Sequence, residues 1–233
     1  EKVRELTSLA AEKGVVFLEA IMFLHLPQRA ILEDALGKIG QLSMAKIDFC
    51  QRSSKLDAYQ GGEVPNIFNP KLETGSLMDL GVYCAYPALH LFDRPESFTA
   101  DCVRMETGAD GCGVITMKYP DKLVTRTYSK LGQAGANTDF QGTEGTVYVE
   151  SISRLANISV WCKDGSTEKL YGEDEKYKLM GWEAKDFYRY ITQPEESRAE
   201  YAHCAELSVW VAELLEEARK QMGLRFDSDR WEA

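Results

Sequence analysis

The 233-residue sequence has no long apolar run, few histidines and a shortage of basic residues. Its most apolar stretch, residues 14–24, is interrupted by Glu19 and falls short of the ~18 apolar residues that a membrane-spanning helix needs. The 27 basic side chains are outnumbered by 37 acidic ones, which gives a formal net charge of −10. Because such a surface repels phosphate backbones and anionic lipids, nucleic acid and membrane surfaces are poor candidate partners.

Closely spaced cysteine pairs are also missing. The six cysteines stand at wide, irregular intervals and none forms a C-x-x-C pair, so the spacing of a tetrahedral zinc site is absent and we predict no metal centre. The chain begins Glu1-Lys2-Val3, without the basic and then apolar segments of a secretory signal. Together these features indicate reduced thiols and a cytoplasmic protein.

The sequence also lacks the glycine-rich motifs that bind nucleotide phosphates and the serine motif of many hydrolases. The glycine-rich segments 108–113 and 142–146 lie between predicted strands and match neither G-x-G-x-x-G nor a phosphate-binding P-loop. No serine lies in a G-x-S-x-G segment. The sequence therefore predicts neither a nucleotide-phosphate site of its own nor a serine hydrolase.

The apolar periodicity predicts an α+β fold. Predicted helices cover 2–13, 27–39, 76–92, 181–192 and 198–222, and predicted strands cover 15–22, 42–49, 98–106, 113–119, 123–129, 136–141, 146–150, 158–162 and 167–170. We expect a large, mostly antiparallel open sheet with helices on one face, preceded by a helix–strand unit whose other strands are missing. The open sheet face is expected to be apolar and to be covered by a second copy, which predicts a homodimer. The polar connection 51–73 is long enough to be functional.

The strongest candidate site lies in the predicted helix 76–92. Asp79 and Tyr83 are four residues apart, so they share one helix face, where a carboxylate beside a phenol suits proton transfer to or from a hydroxyl or carbonyl group. The simpler interpretation is that Asp79 caps a helix and Tyr83 fills the core. His25, between a predicted buried strand and Pro27, is a second candidate, with a histidine satisfied by local backbone groups as its alternative.

Several segments carry a resemblance to a known family. They are 12–20 (EKGVVFLEA), 25–28 (HLPQ), 37–41 (GKIGQ), 75–84 (GSLMDLGVYC), 118–121 (KYPD), 141–146 (QGTEGT) and 223–226 (GLRF). The sequence resembles the C-terminal part of the glucose–fructose oxidoreductase / inositol dehydrogenase / MocA (Gfo/Idh/MocA) family, most of all its dihydrodiol dehydrogenase-like branch. The D-x-G-x-Y segment followed by G-T-x-G is a fairly specific combination.

The resemblance implies a two-domain oxidoreductase that uses NAD or NADP on a CH–OH group of a sugar, cyclitol or diol. It implies that Tyr83 donates or accepts the proton, that Asp79 orients it, and that His25 lines the substrate pocket. Residues 1–24 then correspond to the end of a Rossmann domain and 25–233 to a substrate-binding and dimerisation domain. The family's glycine fingerprint and its catalytic lysine segment would lie before Glu1, as in a truncated or proteolysed piece, so the cofactor-binding residues are unknown.

Three functions stay open at this point. The first is an NAD(P)-dependent oxidoreductase that lacks most of its cofactor domain. The second is a non-catalytic dimerisation or regulatory module on the same fold, since fold does not fix function. The third is a standalone sugar-binding domain. For this chain alone we expect no bound cofactor and no turnover.

Overall fold

The computed structural model describes residues 2–136 and 138–229. The helices are α1 (Lys2–Lys13), α2 (Met22–His25), α3 (Gln28–Leu36), α4 (Leu56–Gln60), α5 (Val82–Phe92), α6 (Lys176–Thr192) and α7 (Pro194–Met222). A π-helical turn, Leu77–Gly81, directly precedes α5. Two short 3₁₀ turns, Asn66–Phe68 and Pro70–Leu72, lie in the connection 51–73, which is thus largely ordered by local structure.

Eight strands form one open sheet. They are β1 (Leu42–Cys50), β2 (Ser97–Arg104), β3 (Asp110–Lys118), β4 (Leu123–Ser129), β5 (Thr138–Gly142), β6 (Gly145–Ser151), β7 (Ala156–Cys162) and β8 (Thr167–Lys169). Their order is β2-β3-β4-β1-β5-β6-β7-β8, and every pair is antiparallel except the central parallel pair β1–β4. The carboxyl ends of β1, β4 and β6 therefore lie at the same edge of the sheet.

The two faces of the sheet differ because side chains alternate along each strand. On β1, Ala45 and Ile47 are fully buried, as are Val124 and Arg126 on β4. This face carries the core, with α5 packed against β1 and β4 and α7 against β2. The mostly antiparallel open sheet with its helices confirms the predicted fold class.

The other face of the sheet has no covering element among the described residues, and it is mixed rather than apolar. Its exposed apolar side chains are Met44, Val103, Val114, Leu123 and Trp161. They alternate in register with polar residues: Thr125 on β4 pairs with Lys46 on β1, and Thr127 with Asp48. The expectation of an apolar open face is therefore only partly met.

The predicted strand over residues 15–22 does not form. Gly14 ends α1 in a left-handed conformation (φ +63°), residues 15–21 then run without regular structure, and α2 begins at Met22. Val15 is 57% exposed, and the Phe17 N–H donates to the Tyr201 hydroxyl of α7 (3.2 Å) rather than to a strand. A strand needs the edge of another strand to pair with, and this segment lies beside helices.

The remaining differences concern element ends. The helix predicted over 27–39 ends at Leu36, and α6 begins at Lys176 rather than at 181. The strand predicted over 136–141 is seen from Thr138 onward, and position 137 lies outside the described residues. Position 1 of the first predicted domain and positions 230–233 of the second also lie outside them. Over the ranges that the structure describes, no helix has the length and apolar character needed to cross a membrane.

Candidate active site

The π-helical turn Leu77–Gly81 holds the first candidate residue, Asp79, at the sheet edge where β1, β4 and β6 end. The buried carboxylate of Asp110, at the start of β3, anchors this turn by accepting a hydrogen bond from the Leu77 N–H (2.6 Å). Gly75 makes the approach possible, since a Cβ there would overlap Asp110 Oδ1. π-helical turns occur often at functional sites because they shift the side chains that follow relative to a regular helix.

Asp79 forms an ion pair with Lys130, the residue that directly follows β4. The Lys130 side chain is 9% exposed and that of Asp79 is 42% exposed, so the pair reaches from the protein interior toward solvent. Asp79 is thus neither a helix cap nor a free surface carboxylate.

Tyr83 lies one turn beyond Asp79, on α5. Its ring packs edge-on against Phe49 of β1, with 5.4 Å between ring centroids. Burial raises the pKa of the Tyr83 phenol, and the carboxylates of Asp79, Glu183 and Glu19 raise it further because a nearby negative charge disfavours the tyrosinate. At neutral pH the phenol is therefore a proton donor.

Asp79 and Tyr83 line a cleft of about 770 Å³ at this sheet edge, a volume in the usual range for a small-molecule site. Its other lining residues are Met22, Asp48, Phe49, Cys50, Gln51, Leu80, Gln133, Ala134, Gly135, Ala136, Glu150, Ser151, Ser153, Arg154 and Lys176. Eight of these fifteen residues are polar, and the charged ones among them comprise two acidic and two basic side chains. Tyr83 therefore lines a polar cleft instead of filling the core, which disfavours the simpler interpretation of the pair.

His25 occupies a different position. Its ring is buried, its Nδ1 lies 3.0 Å from Asp186 Oδ2 of α6, and it packs near Phe187 and Tyr190. Met22, one turn earlier, lines the cleft, whereas His25 is not among the lining residues. The structure thus brings Asp79 and Tyr83 together and places His25 outside the lining, so substrate contact by His25 stays a prediction.

A second carboxylate of α6 shares the surroundings of His25. Burial raises the pKa of Glu183, and the nearby His25 partly offsets this rise. Glu183 Oε2 and His25 Nε2 are both buried without a hydrogen-bond partner among the described residues. Because Glu183 also raises the pKa of Tyr83, α6 adds negative charge to the surroundings of the phenol.

Sequence reasoning missed Lys130 and Asp110. The antiparallel pairing of β3 with β4 brings the start of β3 beside the end of β4, and the π-helical turn packs on both. The available signal was a lysine directly after a predicted strand. Its value depended on strand order, which periodicity does not give.

The described residues contain no strand–glycine loop–helix unit that could hold the phosphates of a dinucleotide. A second cleft, of about 680 Å³, lies between α1, residues 17–19 and α7, and it is lined largely by apolar side chains such as Phe17, Met78 and Leu215. The lining of this second cleft also includes the acidic residues Glu19, Glu73 and Glu216, whose negative charge disfavours a phosphate group. Nor do His, Cys, Asp and Glu side chains in the described ranges gather in any group of three or more suited to a metal ion.

Comparison with known proteins gives a consistent picture. Residues 29–148 match the family model of the GFO/IDH/MocA C-terminal domain. The chain is 35% identical over 230 residues to scyllo-inositol 2-dehydrogenase (NADP(+)) of Bacillus subtilis, covering 99% of this chain and 69% of that protein. It is 26% identical over 249 residues to the human trans-1,2-dihydrobenzene-1,2-diol dehydrogenase, covering 98% of this chain and 69% of that enzyme. The chain thus spans about two thirds of the length of these relatives.

Solved structures show the same fold. A 3-ketoreductase from Actinomadura kijaniata, in complex with NADP and TDP-benzene, superposes with a TM-score of 0.79 at 18% identity, covering 96% of this chain and 67% of that one. A putative oxidoreductase from Klebsiella pneumoniae superposes with a TM-score of 0.63 at 17% identity, covering 95% and 65%. With the family model matching more than half of its residues and the 35% identical relative, this chain belongs to the GFO/IDH/MocA family.

Proposed function

We propose that this chain is the substrate-binding and dimerisation part of an NAD(P)-dependent oxidoreductase that acts on a CH–OH group of a sugar, cyclitol or diol. The observation that carries the proposal is the polar cleft in which Tyr83 and the paired Asp79 lie together. In this proposal residues 1–24 end a dinucleotide-binding domain, and 25–233 form the part that holds the substrate.

Tyr83 is the proposed proton-transfer residue. Its raised pKa keeps the phenol protonated near neutral pH, so that in the direction of reduction it can donate a proton to a carbonyl oxygen. In the direction of oxidation the tyrosinate accepts the proton of the substrate hydroxyl group, which restores the phenol. In this proposal Asp79, one turn away, orients the phenol of Tyr83. A nicotinamide cofactor supplies the hydride chemistry when it is bound.

The lining of the cleft supports a polyhydroxylated substrate. Asp48, Gln51, Glu150 and Ser151 offer hydrogen-bonding groups around the cleft, and Arg154 is already paired with Glu173. A ring with several hydroxyl groups can satisfy such a lining, whereas an apolar ring would leave its polar groups desolvated and unpaired. The scyllo-inositol dehydrogenase relative favours the same substrate class.

The test uses the protein encoded by the complete gene, assayed with NAD⁺ or NADP⁺ against a panel of cyclitols, sugars and trans-diols. We expect dehydrogenation of at least one polyol, and Tyr83→Phe should lower kcat by about 100-fold or more, since general acid–base catalysis contributes 10²–10⁴-fold. Substrate KM should change little, because the aromatic ring and its packing on Phe49 are kept. The exposed Tyr188→Phe serves as the matched control.

The non-catalytic alternative makes the opposite prediction. A dimerisation or regulatory module would oxidise no polyol, and Tyr83→Phe would then have no rate to change. Full turnover by Tyr83→Phe would remove Tyr83 from the proton-transfer role while leaving the oxidoreductase proposal intact.

A further inference from the structure

We propose that Lys130 is a positioning residue of this site, which holds the Asp79 carboxylate in place and balances its charge beside Tyr83. The proposal rests on the function proposed above, which gives Asp79 and Tyr83 their roles. It adds a residue from the sheet to a site that the sequence indicated only on one helix.

Backbone hydrogen bonds fix the main chain of Lys130. Its N–H donates to the Gly111 carbonyl (2.9 Å), and its carbonyl accepts from the Ser53 N–H (2.9 Å). Lys130 therefore sits at the junction of β4, the start of β3 and the connection that follows β1. From there its side chain reaches the π-helical turn and meets Asp79.

Lys130 is buried, so its ammonium group depends on the contact with Asp79 to offset the loss of water. The residue is 7% exposed, and an ammonium group taken out of water without a partner costs several kcal/mol. Asp79 is its ion-pair partner, and the carboxylate of Asp110 lies near enough for Lys130 to affect its ionisation. One cation thus stabilises both the Asp79 carboxylate within the π-helical turn and the Asp110 carboxylate that anchors the turn.

In this proposal Lys130 affects the phenol through its ion pair with Asp79. The groups that act on the ionisation of Tyr83 are Asp79 on its own helical segment, Glu183 on α6 and Glu19 before α2, all of them negative. Lys130 offsets the first of these because it is paired with it. Without Lys130, the Asp79 charge beside Tyr83 is uncompensated and its carboxylate loses the contact that fixes its position.

The kinetic test is a double-mutant cycle in the complete-gene protein. Lys130→Met should lower kcat by about tenfold or more with KM within about threefold, since small misplacements of catalytic groups cost up to 10² in rate. Lys130→Arg, which keeps the charge, should recover most of the rate. In the Asp79→Asn background, adding Lys130→Met should change kcat by less than about twofold, because the partner is already neutral.

The control is Lys122→Met. Lys122 is also a largely shielded lysine, 17% exposed in its side chain and paired with Asp121, but it lies at the opposite end of β4. The kcat of the Lys122→Met variant should match that of the wild type. Multiplicative losses in the Lys130–Asp79 cycle, or an unchanged rate in Lys130→Met, would overturn the proposal.

A second measurement decides the proposal without turnover. In NMR titrations with ¹³Cζ-labelled tyrosine, with Tyr83 assigned by Tyr83→Phe, the phenol should titrate at higher pH in Lys130→Met than in the wild type and at lower pH in Asp79→Asn. The same Tyr83 titration in wild type and Lys130→Met would overturn the role of Lys130. If the wild type oxidises no substrate while the titration shifts as expected, the proposed function fails and the Lys130 contact stands.

Discussion

At the residue scale, two carboxylates near the π-helical turn differ because their surroundings differ. Asp79 is paired with Lys130 and partly exposed, whereas Asp110 is 3% exposed and anchors the turn through the Leu77 N–H. Burial raises the pKa of Asp110 to about 6, although backbone hydrogen bonds and Lys130 oppose the rise. Asp110 therefore accepts a necessary hydrogen bond at an electrostatic cost.

That cost predicts a pH dependence of stability. Because the pKa of Asp110 is about 6 when folded and 3.8 in its ordinary state, the folded protein binds the extra proton, and this contribution to stability is full below about pH 4 and lost as pH rises through about 6. The loss is about 3 kcal/mol at most, at 1.36 kcal/mol per pKa unit.

Urea denaturation of the wild type and Asp110→Asn between pH 4 and pH 7 measures this term. The difference in the free energy of unfolding, wild type minus variant, should fall as pH rises, since only the wild type loses the proton. A difference that is constant across this range would show that Asp110 does not titrate there. The exposed Asp164→Asn, whose carboxyl has a lowered pKa, should give no such fall.

At the element scale, the segment from the π-helical turn into α5 is set by how closely it approaches the sheet. Gly81 lies on Tyr128 of β4: an added Cβ would stand 2.9 Å from Leu77 Cδ1 and 3.2 Å from Tyr128 Cδ1. The missing side chain thus lets the helix that carries Tyr83 pack directly on the sheet.

Two helical glycines provide a matched pair for testing this approach. Gly81→Ala should lower the free energy of unfolding by about 1–3 kcal/mol through overpacking, and should lower kcat by shifting Tyr83. Gly181→Ala, in α6 with nothing within 4 Å of the added Cβ, should raise stability by about 0.5–1 kcal/mol because alanine favours the helix. Equal effects of the two changes on unfolding would show that close packing at Gly81 is unimportant.

The elements themselves were largely predictable from sequence, and their pairing was not. Alternating and helical periodicities gave the strands of the sheet and the helices α1, α5 and α7, because each buries one face. The i, i+4 spacing likewise gave Asp79 with Tyr83. The apolar run at residues 15–22 predicted a strand that does not form, because composition does not reveal whether a partner strand is near. Lys130 was missed because its role depends on the packing of the π-helical turn on the end of β4, a long-range contact.

At the scale of the whole molecule, the open sheet face is the proposed homodimer surface. It exposes Met44, Val114 and Leu123 near the sheet centre, interspersed with threonines and with Lys46 on β1. Such a mixture suits a stable but partly polar interface.

Light scattering should therefore give twice the chain mass of 26.2 kDa. Val114→Glu combined with Met44→Glu should yield the monomer mass, because two copies would bury four added carboxylates. The control Tyr188→Glu, on the exposed face of α6, should stay dimeric. A monomer from the control and a dimer from the sheet variant would move the interface to α6.

Whole-molecule charge and the absence of a phosphate site predict how this chain behaves with a dinucleotide. Dinucleotide phosphates bind at helix N-termini beside glycine loops, and the described residues offer no such unit in a chain of net charge −10. Calorimetry should therefore detect no binding of NADH or NADPH to this chain at micromolar concentrations, and no polyol oxidation should follow. The protein of the complete gene should bind one of them. Micromolar binding by this chain alone would place a dinucleotide site within 1–233. It would overturn the proposal that a separate domain binds the dinucleotide while residues 25–233 bind the substrate.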